Sequence, residues 1–339
     1  MGAIWFAPKS FADTLSEKTG YKAGIALSIE EMCDLLSDTT YADDIISSER
    51  GGIRIRAEDL DDLFYKLLHR VGHTDEEFNG DIIGAGLIHK YRGTALENVY
   101  MGVCQLFVDV WPQILEEAEK TGKRSLDPTT YFDAARAKYG IEGAKIAIEK
   151  IEIMDKGIRL SPNNFIRYTE WDDVAKLSAL FEGSKDKPKH GSFIDQRFIN
   201  YLHKNFEKLG EIHWRKFEEL TAEFFDRSGF RVEIGPGRND DGVDVRVWQP
   251  NQVEKDSPHI IIQCKRQKAK VEKVIVKGLY ADIAHNKANL GLIVTSSELS
   301  PGARDTISAR SYPIQEINNS EIFKWLAALR VPGAGIVRV

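Results

Sequence analysis

The chain has 339 residues, 42% of them apolar and 29% charged, with a formal net charge of −6. This is the composition of a globular protein with room for two ordinary domains, which excludes a disordered or fibrous chain and one coated throughout with basic side chains for nucleic acid. Three widely separated cysteines, Cys33, Cys104 and Cys264, with no CxxC and no Cys/His cluster, exclude a disulfide framework and a zinc site.

No stretch near the start has the apolar core of a signal peptide, and none is long enough to span a membrane, so a cytoplasmic protein without a membrane partner is expected. Ser28 with Glu31 three residues later forms a capping box ahead of Met32, Leu35 and Leu36. Leu60, Leu63, Phe64, Leu67, Leu68 and Val71 recur at helical spacing, and Gly72 closes the run. Between Leu96 and Lys120 more than one face is apolar, which predicts the centre of a helical bundle with a kink near Pro112. "KIAIEKIEIM" fits strand or helix, and "TEWDDVAKLSALF" predicts a further capped helix. Residues 1–182 are therefore expected to form a mainly helical domain for sensing, partner binding or self-association. No catalytic constellation stands out there, and His69, His73 and His89 lack metal-site company.

Residues 183–192, "GSKDKPKHGS", read as a linker. From 193 to 330 the rhythm changes. A helix in "HWRKFEELTAEFFDRSG" precedes the β-rich runs "FRVEIG", "GVDVRVW" and "HIIIQCK". A helix from Val271 to about Asn286, the strand "LGLIVTS", a helix opened by "SPGARDTI", a short strand near Pro313 to Ile317 and a last helix to Leu329 follow, leaving 331–339 as a tail. Helices alternating with strands predict an α/β sandwich around a central mixed sheet. Residues 193–339 carry 22 basic against 19 acidic residues, whereas residues 1–192 carry 24 against 33, so a phosphate-facing groove is permitted here.

Strand alternation puts Val243, Val245 and Val247 on one face and Asp244, Arg246 and Trp248 on the other; Ile261, Gln263 and Lys265 share one face of the next strand, away from Cys264. If these strands pair, a carboxylate, an amide and an ammonium meet, which is a set suited to phosphodiester hydrolysis. Mg²⁺ takes hard oxygen donors, so Asp244 and Gln263 suit it, and Lys265 can orient the attacking water or stabilise charge on phosphorus. The neutral Gln263 leaves this set one negative charge short. On the preceding helix Glu218 lies at the border of the apolar face and Glu219 and Glu223 form an exposed i, i+4 pair, so position favours Glu218 as the further acid. Lys268, Lys270, Lys273 and Lys277 line either a DNA groove or a solvated helix face. Trp248 stacks on a nucleotide or packs structurally, the latter favoured; Cys264 reads as core, His285 as surface, and "GPGRNDDG" as a turn.

"FIDQRFINYLHKN" leading into "RKFEELTAEFFDRSGFRVE", then "DDGVDVRV", "IIIQCKRQ" and "LGLIVTSSELSPGA", resemble in order and spacing the Mrr-type restriction endonuclease domain, the QxK branch of the PD-(D/E)xK nucleases. The resemblance covers Phe193 to Leu329 and implies a PD-(D/E)xK-like fold in that part alone. It matches Asp244 to the metal-binding Asp, Gln263 and Lys265 to the QxK pair, and Glu218 to the Glu of the "FE" helix. It implies Mg²⁺-dependent DNA cleavage, with Mn²⁺ as a substitute ion, often of foreign or modified DNA. One departure is Asp241, beside Asp240, where the family has the first glycine of "DGGVD". The expectation is thus a metal-dependent endodeoxyribonuclease of restriction or antiviral defence, homo-oligomeric by symmetry reasoning, with a neighbouring defence protein as a possible partner. A catalytically silent nucleic-acid-binding or assembly module and a structure-selective repair nuclease are the alternatives.

Overall fold

The computed structural model describes residues 2–81, 84–122, 125–183, 187–237, 242–251 and 257–330. Strand β1 (Ala3–Phe6) leads to helix α1 (Ser10–Ala23), β2 (Ile25–Ala26), α2 (Ile29–Leu35), α3 (Tyr41–Ser48), β3 (Ile53–Arg56) and α4 (Ala57–Arg70). The expected capping box starts α2: the Ser28 side chain accepts from Glu31 N, and the Glu31 carboxylate accepts from Ser28 N. The periodic leucines of α4 are buried as their spacing predicts. The region is less purely helical than expected, because β1 pairs antiparallel with β3 and encloses α1 to α3.

Helices α5 (Ala85–Tyr91), α6 (Glu97–Thr121) and α7 (Thr129–Leu160) form a separate apolar cluster around Tyr100, Val103, Tyr131 and Ile146. α6 runs as one helix through Pro112, and the interruption falls instead in α7 at Gly140 (φ 69°, ψ −157°). "KIAIEKIEIM" is therefore the second half of α7. β4 (Ala175–Lys176) pairs parallel with β2, and α8 covers only Leu177–Phe181. The longer helix expected from "TEWDDVAKLSALF" is prevented because Ala175 N donates to Gly24 O at 2.9 Å, holding this backbone extended.

α9 (Gln196–Lys204), a 3₁₀ turn (Phe206–Gly210) and α10 (Trp214–Arg227) precede β5 (Arg231–Ile234), β6 (Val245–Trp248) and β7 (Ile260–Lys265). α11 (Lys273–Asn286), β8 (Leu290–Thr295), α12 (Pro301–Arg310), β9 (Ile314–Ile317) and α13 (Asn319–Leu329) complete the chain. The sheet order is β5-β6-β7-β8-β9, antiparallel from β5 to β7 and parallel from β7 to β9. Val245, Val247, Ile260 and Ile262 pack on one face with Phe217, Leu220 and Leu326 of α10 and α13. Ile261 and Ile293 pack on the other with Val276, Leu279 and Ile283 of α11 and Ala303 of α12. This is the expected α/β sandwich with a central mixed sheet.

The first of these cores continues into Phe11, Leu15, Leu63 and Phe64 of the N-terminal region, so apolar packing crosses the segment read as a linker. Close backbone approach supports it: a Cβ on Gly72 (φ 80°) would stand 2.0 Å from Asn200 O in α9, a distance that only glycine allows. Asp240, Asp241 and the tail 331–339 lie outside the described residues, as does half of the turn "GPGRNDDG".

Candidate active site

β6 and β7 pair with Val245 opposite Ile262, and Asp244, one residue earlier, also donates its N–H to Ile262 O at 2.9 Å. Two residues of one strand thus answer to one of its neighbour, an irregularity that re-aims side chains. Val245 and Val247 face the α10 side while Val243 joins the α11 cluster, which corrects the expectation that all three share a face. The half-buried Asp244 does not simply follow the alternation either. Its Oδ2 accepts from Cys264 N at 2.6 Å, pinning the carboxylate where the β6–β7 ladder ends.

Along β7, Cys264 packs against the α10 core while Gln263 and Lys265 alternate with it toward α11. The Cys264 Sγ–H donates to Thr221 Oγ1 at 3.6 Å. Burial pushes its thiol pKa well up, the Asp244 and Glu218 carboxylates push it further, and the Thr221 bond and the Lys265 ammonium oppose them. The charges of Asp244, Glu218 and Lys265 thus all bear on the Cys264 thiol. Lys265 is half-buried, its carbonyl is tied to Thr295 Oγ1 at 2.8 Å and Ser296 N at 3.2 Å, and its ammonium enters no ion pair among the described residues.

Gln263 is 9% exposed, and its buried Oε1 has no hydrogen-bond partner among the described residues. Such an orphaned acceptor costs about 1–3 kcal/mol and calls for an explanation. Gly242 (φ 79°) arches over the same side chain; a Cβ there would lie 3.4 Å from Gln263 Nε2 and 3.8 Å from Asp282 Oδ2. The sequence reading overlooked Asp282. Its signal was faint, an acid beside Leu279 and Ile283 on a helix whose docking face only the fold reveals.

Glu218 approaches from α10, on the opposite face of β7 from Gln263. It is 5% exposed, and its Oε2 lies 2.9 Å from Arg215 Nη1, which also donates to Gly235 O at 2.7 Å. Glu219 and Glu223, expected to be exposed, are buried, because the C-terminal half of the domain and the segment before α9 close over α10. Glu219 pairs with Lys216 at 3.0 Å, and burial raises its carboxyl pKa. Glu223 accepts backbone N–H groups from Ser192, Phe193 and Ile194. Trp248 is buried with the Arg231 guanidinium 3.9 Å from its ring centroid, a structural stack. Lys268, Lys270, Lys273 and Lys277 are exposed, and Lys270 pairs with Glu298 at 2.8 Å.

No group of three His, Cys, Asp or Glu side chains is set to hold a metal among the described residues. Mg²⁺ does not require one, since it commonly takes one or two protein oxygens and keeps waters and substrate phosphate for the rest. An anchored carboxylate at Asp244 and the unpartnered amide oxygen of Gln263 fit that demand.

Residues 209–326 match the restriction endonuclease family Mrr_cat. No curated protein matches the chain. Among solved structures, the MspJI restriction endonuclease in complex with a 27-mer oligonucleotide is similar at 17% identity, over 55% of this chain and 41% of that one, with a TM-score of 0.27. So loose a superposition carries no argument about fold, and the chain spans well under half of that protein's length. The C-terminal region is therefore a restriction endonuclease domain of the Mrr type.

Proposed function

We propose that the chain is a Mg²⁺-dependent DNA endonuclease acting against foreign DNA, with Asp244 and Gln263 holding the ion and Lys265 acting at the reacting phosphate. The observation that carries this reading is the buried Oε1 of Gln263, which has no hydrogen-bond partner among the described residues and lies next but one in β7 to Lys265, itself in no ion pair among them, within a domain that matches restriction endonucleases. A bound divalent ion lowers the pKa of water and polarises the phosphoryl group. The chain's own residues set the frame. Cys264 N–H fixes one oxygen of Asp244, leaving the carboxylate little freedom to turn. The Thr295 and Ser296 bonds to its carbonyl fix the backbone from which Lys265 projects. That ammonium orients the water or meets the charge growing on phosphorus, and fixed charges of this kind contribute roughly 10²–10³-fold to such reactions. Glu218, held by Arg215, contributes negative potential from the α10 side and is the least exposed of the proposed acids to an incoming ion. The region before residue 193 senses, binds a partner or drives self-association, and two copies supply the two cuts of a duplex.

The test is nicking of supercoiled plasmid. Wild-type chain is expected to cleave with Mg²⁺ or Mn²⁺ and to stop with chelator. Lys265→Ala should lose about 10²–10³-fold while retaining its circular-dichroism spectrum and DNA binding. Undiminished cleavage by Lys265→Ala, after removal of contaminating nuclease, defeats the assignment. DNA retention without hydrolysis by the wild type would make the chain a silent binding module. A panel of linear, branched, methylated and single-stranded DNA separates defence from repair.

A further inference from the structure

Away from the nuclease site, an open cavity of about 610 Å³ lies where the N-terminal region meets the nuclease domain. Residues of α2, α4 and α8 line one side, and α9 with the 3₁₀ turn lines the other. Glu31, Asp34, Glu182, Glu207 and Glu211 surround it with carboxylates. Its two basic side chains are already engaged, Arg70 with Asp38 and Lys208 with Glu211 at 3.4 Å. The carboxylates of Asp34, Glu182 and Glu207 enter no ion pair or hydrogen bond among the described residues.

Exposed acids alone specify nothing; Tyr201 of α9 sets this cavity apart. It lines the cavity while only 4% exposed, packs edge-on against Phe181 with ring centroids 5.7 Å apart, and its hydroxyl enters no hydrogen bond among the described residues. Burial raises the pKa of that hydroxyl, and the Glu207, Glu31, Glu211 and Asp34 carboxylates raise it further, so four of the five acids act on one phenol. The phenol stays neutral and can accept an N–H. An enclosed hydroxyl among carboxylates is best complemented by a donor that carries positive charge. A bare metal ion is a poor match, because no three His, Cys, Asp or Glu side chains among the described residues are set to hold one. Charges spread around a cavity of this size suit a cation whose own charges are spread along a chain. The rings of Phe181 and Tyr201 offer it aromatic surface.

We propose that this cavity binds an aliphatic polyamine, one amino group donating to the Tyr201 hydroxyl and the others meeting the carboxylates of Asp34, Glu182 and Glu207. Asn205 holds the two walls together, since its Nδ2 donates to Arg70 O at 2.8 Å and to Tyr201 O at 3.0 Å. A ligand spanning these walls favours the state in which the N-terminal region is docked on the nuclease domain. The site is independent of any metal at Asp244 and Gln263.

Isothermal titration calorimetry of the full, DNA-free chain with spermidine tests it, with folding checked by thermal melting. One-to-one binding that persists in excess Mg²⁺ is expected, and bound spermidine should raise the melting temperature. Tyr201→Phe keeps the ring and should weaken binding about tenfold. Without ligand it should melt as the wild type does, because the hydroxyl has no partner to lose. Glu182→Gln combined with Glu207→Gln, both at exposed positions, should also weaken binding about tenfold. Glu117→Gln combined with Glu119→Gln removes two exposed acids of α6 that do not line the cavity, and should leave affinity unchanged. Wild-type affinity in Tyr201→Phe, an equal loss in the α6 pair, displacement of spermidine by Mg²⁺, or no binding by the wild-type chain would each overturn the proposal.

Discussion

The two faces of β7 carry buried polar groups of different kinds, ion-paired acids on one and an amide beside an ammonium on the other. On the α10 face each buried acid has a basic neighbour one turn away, Glu218 with Arg215 at 2.9 Å, Glu219 with Lys216 at 3.0 Å and Glu223 with Arg227 at 2.7 Å. On the α11 face the Gln263 oxygen has no partner, and the ammonium of Lys265 enters no ion pair among the described residues. Burying an unsatisfied acceptor is unfavourable, so it persists where something outside the folded chain compensates it. The first face holds its acids in ion pairs, and the function proposed above gives the open acceptor of the second a ligand. The contrast separates acids that look equivalent in the sequence.

The strongest way to break that contrast is Glu223→Gln. Glu223 is 1% exposed, and its Oε2 takes Ser192 N at 3.0 Å, Phe193 N at 2.6 Å and Ile194 N at 3.3 Å while Oε1 takes Arg227 Nε at 2.7 Å. The substitution strips a charge from a buried cluster and leaves Arg227 without its anion, at an expected cost of about 4 kcal/mol. Urea denaturation reads that loss, and cleavage per folded molecule should be unchanged. A variant of normal stability that no longer cleaves would place Glu223 in the chemistry and dissolve the distinction between the faces.

The same contrast shows what the sequence could and could not disclose. Alternation of Ile261, Gln263 and Lys265 placed two polar groups on one face of β7, because period-two alternation survives in a strand paired on both sides. It failed at Val243, where an extra residue against Ile262 shifts the phase, and no local pattern announces such an irregularity. Glu219 and Glu223 looked exposed because helical spacing identifies one apolar stripe; the second layer of chain that covers α10, including Ser192 to Ile194, is set by tertiary contact. Likewise α8 is short because Ala175 bonds Gly24, more than a hundred residues away in sequence. Asp282 escaped notice for this reason too.

His73 sharpens the comparison by asking what burial does to a titratable group that serves no ligand. Burial, aided by the Lys22 and Arg330 charges, lowers its pKa from 6.5 to about 4. The folded protein therefore resists protonation that the unfolded chain accepts. Above pH 6.5 both states are neutral and stability is unaffected; as pH falls from about 6.5 toward about 4, the unfolded state takes up the proton first and stability declines, by about 3 kcal/mol in all. Denaturation midpoints across this range should show the decline, and His73→Leu should flatten it without altering the metal dependence of cleavage. An unchanged acid slope in His73→Leu would move the titration to another group.

The smallest expected effect lies on the exposed lysines after β7, where the distinction between engaged and open charge can be drawn again. Lys270 is held by Glu298 at 2.8 Å, whereas Lys268, Lys273 and Lys277 enter no ion pair among the described residues. A lysine that meets a phosphate releases a counterion, so replacing it lowers the slope of log affinity against log salt by about one. Lys277→Ala should do this, and Lys270→Ala should do less because Glu298 already engages that charge. Titrating a short duplex at several salt concentrations compares them directly. Equal, unaltered slopes for both variants would mean that this part of α11 is a solvated face and that DNA reaches Gln263 and Lys265 from another direction.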